Sequence, residues 1–133
     1  MIKQIAVFLE NKEGRASACC QALKDAGVNL LALSIADTKE FGIMRIITDN
    51  NETALSALKN AGFLCSIVEL VGLEVPDKSG ALADLLIELG GENINVEYMY
   101  SYAGMDGHAK IAFKTSDPEK AVAILQEHGA KLI

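Results

Sequence analysis

The stretch NKEGRASACCQAL (residues 11–23) returns later in the chain as DKSGALADLLIEL (residues 77–89). At this shift of 66 residues Gly14 is aligned with Gly80, and turns, apolar positions and asparagines continue to match downstream with a slip of one residue. A shared order of so many features at a nearly fixed spacing is typical of an internal duplication. The sequence therefore predicts two homologous units.

The first unit alternates strand and helix patterns. Ile5, Val7 and Leu9 recur at every second position, which predicts a strand with one buried face. The 3-4-3 spacing of the apolar residues that follow predicts a helix. Further strands are predicted at residues 30–36, 41–48 and 64–69. A second helix is predicted at residues 51–61, and a tight turn at residues 37–40. The order βαββαβ, with two right-handed crossovers, predicts an α+β, ferredoxin-like unit.

The second unit repeats this order. Strands are predicted at residues 71–75, 96–102, 108–114 and 131–133, and helices at 80–89 and 118–128. Asp117 is placed to cap the last helix and Pro118 to begin it. We predict domain boundaries at residues 1–69 and 70–133. A unit of this size buries little apolar surface alone, so the two units are expected to pack together.

Composition excludes several classes of protein. The 133 residues are 50% hydrophobic and 23% charged, with a mean hydropathy of +0.23 and a net charge of −6. Basic residues are scattered, which argues against nucleic acid or an anionic membrane as a partner. No apolar run approaches the ~18 residues of a membrane helix, and no secretory signal is visible. Three cysteines without metal-ligand spacing favour a reduced, cytoplasmic location.

Few residues suggest catalysis. Cys19 and Cys20 are aligned with Leu85 and Leu86 in the repeat, so core packing is expected rather than thiol chemistry. Cys65 is interpreted in the same way.

The only histidines, His108 and His128, have no motif that locates partners for a triad or a metal site. We therefore expect no enzyme, no catalytic residue, no metal and no cofactor. A small enzyme that depends on His108 or Asp77 is the weaker alternative.

Three tyrosines at alternate positions, Tyr98, Tyr100 and Tyr102, are expected on one face of a strand. Aromatic residues on such a sheet can stack on RNA bases. Because the accompanying basic residues are missing, we expect these tyrosines to pack against a neighbouring sheet edge instead.

The repeated turn is the best candidate site. Both units deliver a strand into Asn/Asp-Lys-x-Gly, and a helix N-terminus follows at once, where free amides and the helix dipole favour an anion. Glycine lets the backbone approach a ligand closely. Asn11, Asp77, Asn29 and Asn95 are expected to add short polar groups at the same end of the sheet. This set suits the carboxylate and ammonium groups of a free amino acid.

The chain resembles tandem ACT-domain proteins over practically its whole length. The resemblance is carried by LENKEG (9–14) with GVNLL (27–31), and by EVPDKSG (74–80) with ENINV (92–96). It implies a βαββαβ regulatory module that binds small amino acids and controls a metabolic enzyme or another regulator. It also implies two units side by side in an eight-stranded antiparallel sheet with the helices on one face. A homodimer is compatible with this arrangement.

In such proteins the effector sits between the first turn of one unit and the second-strand entrance of the other. Carried over, the resemblance implies one pocket made by Asn11, Lys12, Glu13, Gly14 and Arg15 with Asn95 and Val96. The other pocket would combine Asp77, Lys78, Ser79, Gly80 and Ala81 with Asn29 and Leu30. Serine-binding members carry histidine where this chain has Leu9 and Val75, so a ligand with an apolar or aromatic side chain suits the resemblance equally well. The alternative is an assembly module of the same fold without a small ligand.

Overall fold

The structure is a computed structural model, and it describes residues 1–37 and 41–133. The turn that the sequence predicts at residues 37–40 lies mostly outside these ranges. The chain divides into two compact units. The first unit comprises residues 3–68, and the second unit comprises residues 69–133 together with Met1–Ile2.

The first unit has the predicted βαββαβ order. Its elements are β1 (Ile2–Glu10), α1 (Arg15–Asp25), β2 (Leu30–Asp37), β3 (Phe41–Thr48), α2 (Asn51–Asn60) and the first part of β4 (Leu64–Pro76). The strand order is β2-β3-β1-β4, and β3 pairs antiparallel with both β1 and β2. This is the strand order of a ferredoxin-like sheet.

The second unit repeats the arrangement. After the second part of β4 come α3 (Ala81–Gly91), β5 (Tyr98–Met105), β6 (His108–Lys114), α4 (Pro118–Glu127) and β7 (Lys131–Leu132). The strand β4 pairs antiparallel with β6 and with β7, and β6 pairs antiparallel with β5. The strand β7 has only two residues, and it pairs with β4 at Leu73 and Glu74.

The predicted fold class, two ferredoxin-like units with helices packed on a sheet, is confirmed. The described residues form seven strands rather than the eight that we predict from the resemblance. The difference arises because the strands predicted at 64–69 and 71–75 are one continuous strand, β4. Leu70 and Val71, where the break was expected, are both buried, and the residues between the two halves are extended rather than turning.

The two cores are equivalent position by position. In the first unit Ile5, Val7 and Leu9 of β1 pack against Cys19 and Leu23 of α1. Sixty-six residues later, the same positions hold Val71, Leu73, Val75, Leu85 and Leu89, and all five lie in the core of the second unit. The duplication seen in the sequence is therefore a duplication of the packing.

Candidate functional site

The first glycine turn joins β1 to α1. The amide of Lys12 donates to the carbonyl of Glu10 at 2.8 Å, which reverses the chain. Gly14 has a φ of 81°, a left-handed conformation that L side chains adopt only with strain. The amide of Ala18 then donates to the carbonyl of Gly14 at 2.9 Å and begins the helix.

The second turn, between β4 and α3, has the same backbone. The amide of Lys78 donates to the carbonyl of Pro76 at 2.9 Å. Gly80 has a φ of 88°, and the amide of Asp84 donates to its carbonyl at 2.9 Å. The repeated Asn/Asp-Lys-x-Gly sequence thus encodes one repeated local structure.

The helices that follow these turns lack the usual side-chain cap. Gly14 and Gly80 occupy the N-cap positions of α1 and α3, where no side-chain cap hydrogen bond is made. The other two helices are capped: the Asn50 side chain accepts from the amide of Thr53 at 3.1 Å, and Asp117 caps α4 in the same way at 3.2 Å. The amides of Arg15 and Ala81 donate to the carbonyls of Lys12 and Lys78 at 3.5 and 3.4 Å, so the amides that follow them in α1 and α3 are the ones without a side-chain cap.

A small cleft of about 100 Å³ lies against the first turn. Leu9, Ile35 and Gly42 line it on the sheet side, and Asn11 and residues of the turn line it on the other. The cleft has room for a small polar group next to an apolar surface.

Charges at this cleft are partly paired. Lys12 Nζ lies 3.0 Å from a carboxylate oxygen of Glu10, and both side chains are more than half exposed. The hydrogen bond from Lys12 and its positive charge lower the pKa of Glu10 below its usual value. Glu13, the third charged residue of the turn, is exposed.

Arg15 lines the same cleft and is held by an aromatic ring. Its guanidinium carbon lies 4.8 Å from the centre of the Phe63 ring, a cation–π contact. Its Nε is buried and has no hydrogen-bond partner in the described part of the chain. A buried donor without an acceptor is unfavourable for the folded state.

The second turn meets a different environment. Its backbone is anchored by the amide of Asp77, which donates to the carbonyl of Gly107 at 2.8 Å. Lys78 and Ala81 line a much larger cavity of about 490 Å³, whereas Asp77 and Ser79 are exposed and do not line it. The two turns therefore share a backbone but not a pocket shape.

The expectation that Asn29 lies at the same end of the sheet as the first turn is wrong. Because β1 and β2 both pair antiparallel with β3, they run in the same direction. Glu10, at the end of β1, lies opposite Phe41, whereas Leu30, at the start of β2, lies opposite Thr48 at the other end of β3. Asn29 exchanges backbone hydrogen bonds with the side chain and amide of Asp49 at that far end.

The same holds in the second unit. Pro76, next to the second turn, lies opposite His108, whereas Tyr98 near the start of β5 lies opposite Lys114. Asn95 and Val96 precede Tyr98 and so lie away from their own turn. Within one unit, turn and asparagine do not form a common pocket. Their combination across the two units stays a prediction.

Cys19 and Cys65 lie in or against the core, as predicted, whereas Cys20 is half-buried and does not belong to it. Cys19 is fully buried in the core of the first unit, and burial raises the pKa of its thiol to about 12. Burial also raises the pKa of Cys65, which packs against the same core. A thiol that stays protonated is a poor nucleophile, so both behave as small apolar side chains.

The tyrosines of β5 lie on one face, as predicted, because Tyr98, Tyr100 and Tyr102 are opposite Lys114, Ala112 and Lys110 of β6. Burial, and to a smaller extent the charge of Glu74, raises the pKa of Tyr102 to about 12.

The two histidines both line the 490 Å³ cavity. His128 ends α4, as expected, and its Nδ1 lies 3.6 Å from a carboxylate oxygen of Glu88. The carboxylates Glu74, Asp84 and Glu88 of this cavity were not found by sequence reasoning. The repeat could have indicated them, because it aligns these three carboxylates with the uncharged residues Phe8, Ala18 and Ala22 of the first unit.

The described ranges, residues 1–37 and 41–133, contain neither a metal-ligand cluster nor a helix suited to span a membrane. No group of three or more His, Cys, Asp or Glu residues is arranged there to hold a metal ion. None of the helices in those ranges combines the length and the apolar character that crossing a membrane requires.

The fold and the repeated turns define a class of protein. The profile of the ACT domain pair family matches residues 1–133, and the chain belongs to this family. ACT domains are regulatory modules rather than catalytic ones, which agrees with the expectation from the sequence.

Solved structures show the same fold. Protein BT0572 from Bacteroides thetaiotaomicron has a TM-score of 0.92 and 37% sequence identity, over 99% of this chain and 91% of that one. The ligand-free regulatory subunit of aspartate kinase from Thermus thermophilus has a TM-score of 0.65 and 14% identity, over 94% and 90% of the two chains. The corresponding subunit from Thermus flavus is similar, at 0.64 and 15%, with the same coverage. A search of curated proteins finds no match.

Proposed function

We propose that this chain is a non-catalytic regulatory protein that binds a small free amino acid at its glycine turns. The observation that carries the proposal is the duplicated turn, in which Gly14 and Gly80 leave the first amides of α1 and α3 without a side-chain cap. Such helix ends favour a carboxylate through their free amides and their dipole. At the first turn, the buried Nε of Arg15 supplies a further donor without an acceptor.

The family and its similar structures support the regulatory part of the proposal. The chain belongs to the ACT domain pair family, and two structures of the same fold are regulatory subunits of aspartate kinase. We propose by analogy that a metabolic enzyme or another regulator responds to this protein in the cytoplasm. Binding of the effector would then shift the population of the state that the partner recognises.

The two turns should differ in affinity. The first turn presents Arg15 over an aromatic ring and a cleft of about 100 Å³, whereas the second presents Ala81 and a wider cavity. An amino-acid carboxylate that needs the Arg15 donor would favour the first turn. We therefore propose that the first turn is the higher-affinity site.

A thermal-shift screen against the standard amino acids at millimolar concentration tests the proposal. A ligand present at 100 times its dissociation constant adds about 2.7 kcal/mol to the apparent free energy of unfolding. Failure of every amino acid to raise the melting temperature would leave only the assembly-module alternative. For that alternative, the oligomeric state and partner binding should be independent of any amino acid.

Gly14→Ala locates the site once a ligand is known. A Cβ at Gly14 would meet no atom within 4 Å, so the substitution adds only backbone strain, about 1–2 kcal/mol, and fills space that a ligand would use. Gly62→Ala is the matched control, because Gly62 has a φ of 90° and is equally open. The proposal requires Gly14→Ala to weaken binding while Gly62→Ala, at a similar cost in stability, leaves it unchanged.

The prediction that Asn95 completes the pocket of the first turn needs a double-mutant cycle. If Asn95 and Gly14 contact the same bound amino acid, the effects of Asn95→Ala and Gly14→Ala on the binding free energy will not add. Additive effects, or an effect of Asn29→Ala on this site instead, would contradict that pairing.

A further inference from the structure

A cavity of about 490 Å³ opens in the second unit, between α3, the second part of β4 and the start of β7. Its floor is apolar and includes Leu73, Val75 and Leu85. Its walls are charged and come from the second turn, from α3 and from the ends of β6 and α4. All lining residues belong to the second unit. The volume lies within the ~300–1,000 Å³ range of small-molecule sites.

In the first unit the equivalent space is narrowed by its own side chains to a cleft of about 190 Å³. There the guanidinium of Arg15 stacks on the ring of Phe63. The repeat aligns these residues with Ala81 and Ala130. The alignment is structural as well, because Phe63 and Ala130 each donate their amide to the preceding helix at 2.9 Å. The cavity of the second unit is thus larger than its counterpart because two large, mutually packed side chains are replaced by two methyl groups.

The same comparison shows that charge has been added to α3. Asp84 and Glu88 line the cavity one helical turn apart, where the first unit has Ala18 and Ala22. Two like charges four residues apart disfavour a helix by themselves. His128 approaches Glu88 at 3.6 Å and is the nearest candidate to compensate. Loss of packing alone would enlarge the cavity without adding charged residues. The added carboxylates therefore favour a ligand site.

The charged residues that line the cavity give it a negative net charge. Glu74 is paired with Lys131 at 3.0 Å and so is largely neutralised. Lys78, Asp84 and Glu88 also line the cavity, which leaves an excess of one negative charge when the histidines are neutral. An anion would be repelled by this excess, and a purely apolar ligand would leave the carboxylates desolvated.

We propose that this cavity is a binding site for a small organic cation, a primary ammonium group on a short aliphatic chain. The ammonium group would lie between Asp84 and Glu88 and donate to both carboxylates. The aliphatic chain would cover Leu73, Val75 and Leu85. A metal ion fits less well, because the described residues offer no ligand cluster of metal geometry.

Titration calorimetry with n-butylammonium chloride tests the proposal, with n-butanol and sodium butyrate as probes of equal chain length. Saturable binding of the ammonium compound, and of neither other probe, is the expected result. Equal binding of all three, or binding of none, would overturn the assignment.

Two variants locate the site. The double variant Ala81→Arg with Ala130→Phe carries the side chains that narrow the equivalent space of the first unit, and it should abolish ammonium binding. Glu88→Gln leaves the cavity open and should weaken binding about tenfold, because a charge-assisted hydrogen bond is lost. Glu127→Gln, on an exposed helix residue outside the cavity, is the matched control and should have no effect. Unchanged affinity in Glu88→Gln would overturn the proposal even if the double variant does not fold.

This inference does not rest on the proposed function at the first turn. Because Lys78 and Ala81 of the second turn line the cavity, an ammonium ligand and an amino-acid carboxylate would be alternatives at that turn. Gly14→Ala should leave butylammonium binding unchanged, so the failure of either proposal can be recognised without the other.

Discussion

The guanidinium of Arg15 lies 4.8 Å from the centre of the Phe63 ring, and the two equivalent positions of the second unit are Ala81 and Ala130. Two units with the same backbone turn and equivalent cores therefore differ at one interior place. In the first unit these side chains leave a cleft of about 190 Å³ at that place, whereas the cavity of the second unit measures about 490 Å³. The different ligands proposed for the two halves of the chain rest on this difference.

Phe63→Ala should destabilise the first unit by about 3 kcal/mol, because Phe63 is only 6% exposed and its loss leaves a cavity under Arg15. Phe8→Ala is the control, since Phe8 is 48% exposed. Urea unfolding followed by circular dichroism measures both variants. All three tyrosines lie in the second unit, so tyrosine fluorescence should report a smaller change. A loss in Phe63→Ala no larger than that in Phe8→Ala would contradict the packing role.

Arg15→Ala should cost less than about 1.5 kcal/mol in the same measurement. The lost cation–π contact contributes about 0.5–1 kcal/mol at a partly exposed site, and removal of the unpaired buried Nε offsets part of that loss. If Arg15 is retained for a ligand, the substitution should lower amino-acid affinity far more than stability. A large loss of stability with unchanged affinity would assign Arg15 to packing alone.

Gly72→Ala should destabilise the second unit by about 1–3 kcal/mol, because a Cβ there would overlap the Ile2 side chain. Gly72 lies in β4 and is buried, and Ile2 belongs to the same unit. Ile2→Ala removes the overlapping atoms. The double variant should therefore be more stable than the sum of the two single losses predicts. Additive losses would show that Ile2 is not the residue that restricts this position.

The repeat explains why so much of this fold could be predicted. Glycine turns and periodic apolar positions are local signals, and finding each twice made the assignment of Cys19 to the core possible without a structure. The continuity of β4 could not be predicted, because the apolar residues Leu70 and Val71 suit one continuous strand and two separate strands equally well. The cavity of the second unit could not be predicted, because its size depends on Ala81 and Ala130 standing where the first unit has Arg15 and Phe63. These two positions are far apart in the sequence and meet only when the unit is folded.

The placement of Asn29 was wrong for a topological reason. A crossover helix returns the chain to the start of a parallel strand, so the residue before β2 lies at the end of the sheet opposite to the turn after β1. The spacing between the turn and the asparagine recurs in both units of the sequence. This spacing does not show at which end of the sheet the turn and the asparagine lie.

Loss of a helix cap should be measurable in each unit. The Asn50 side chain accepts from the amide of Thr53, and the Asp117 side chain accepts from the amide of Lys120. Asn50→Ala and Asp117→Ala should each lower the free energy of unfolding by about 1 kcal/mol. Ser116→Ala, at the exposed residue before Asp117, is the control and should change it by less than about 0.5 kcal/mol. A cap variant as stable as this control would show that the hydrogen bond is not made in solution.

Stability should fall in alkaline solution because of Cys19. Burial raises the pKa of its thiol from 9.0 to about 12, so in the folded state the thiol keeps its proton well above pH 9. The unfolded chain releases that proton at about pH 9, and each further pH unit then favours unfolding by up to about 1.4 kcal/mol.

The full contribution of Cys19 is therefore present below pH 9 and is lost as the pH rises from 9 toward 12. Urea unfolding under reducing conditions at pH 8 and pH 10 should show a loss of about 1 kcal/mol that is absent in Cys19→Ala. The range ends at pH 10 because the raised pKa of Tyr102 adds a loss of the same sign above its ordinary value of 10.0. Cys65 is present in both proteins, so the difference between them isolates Cys19. The same pH dependence in both proteins would show that the Cys19 thiol is not buried in solution.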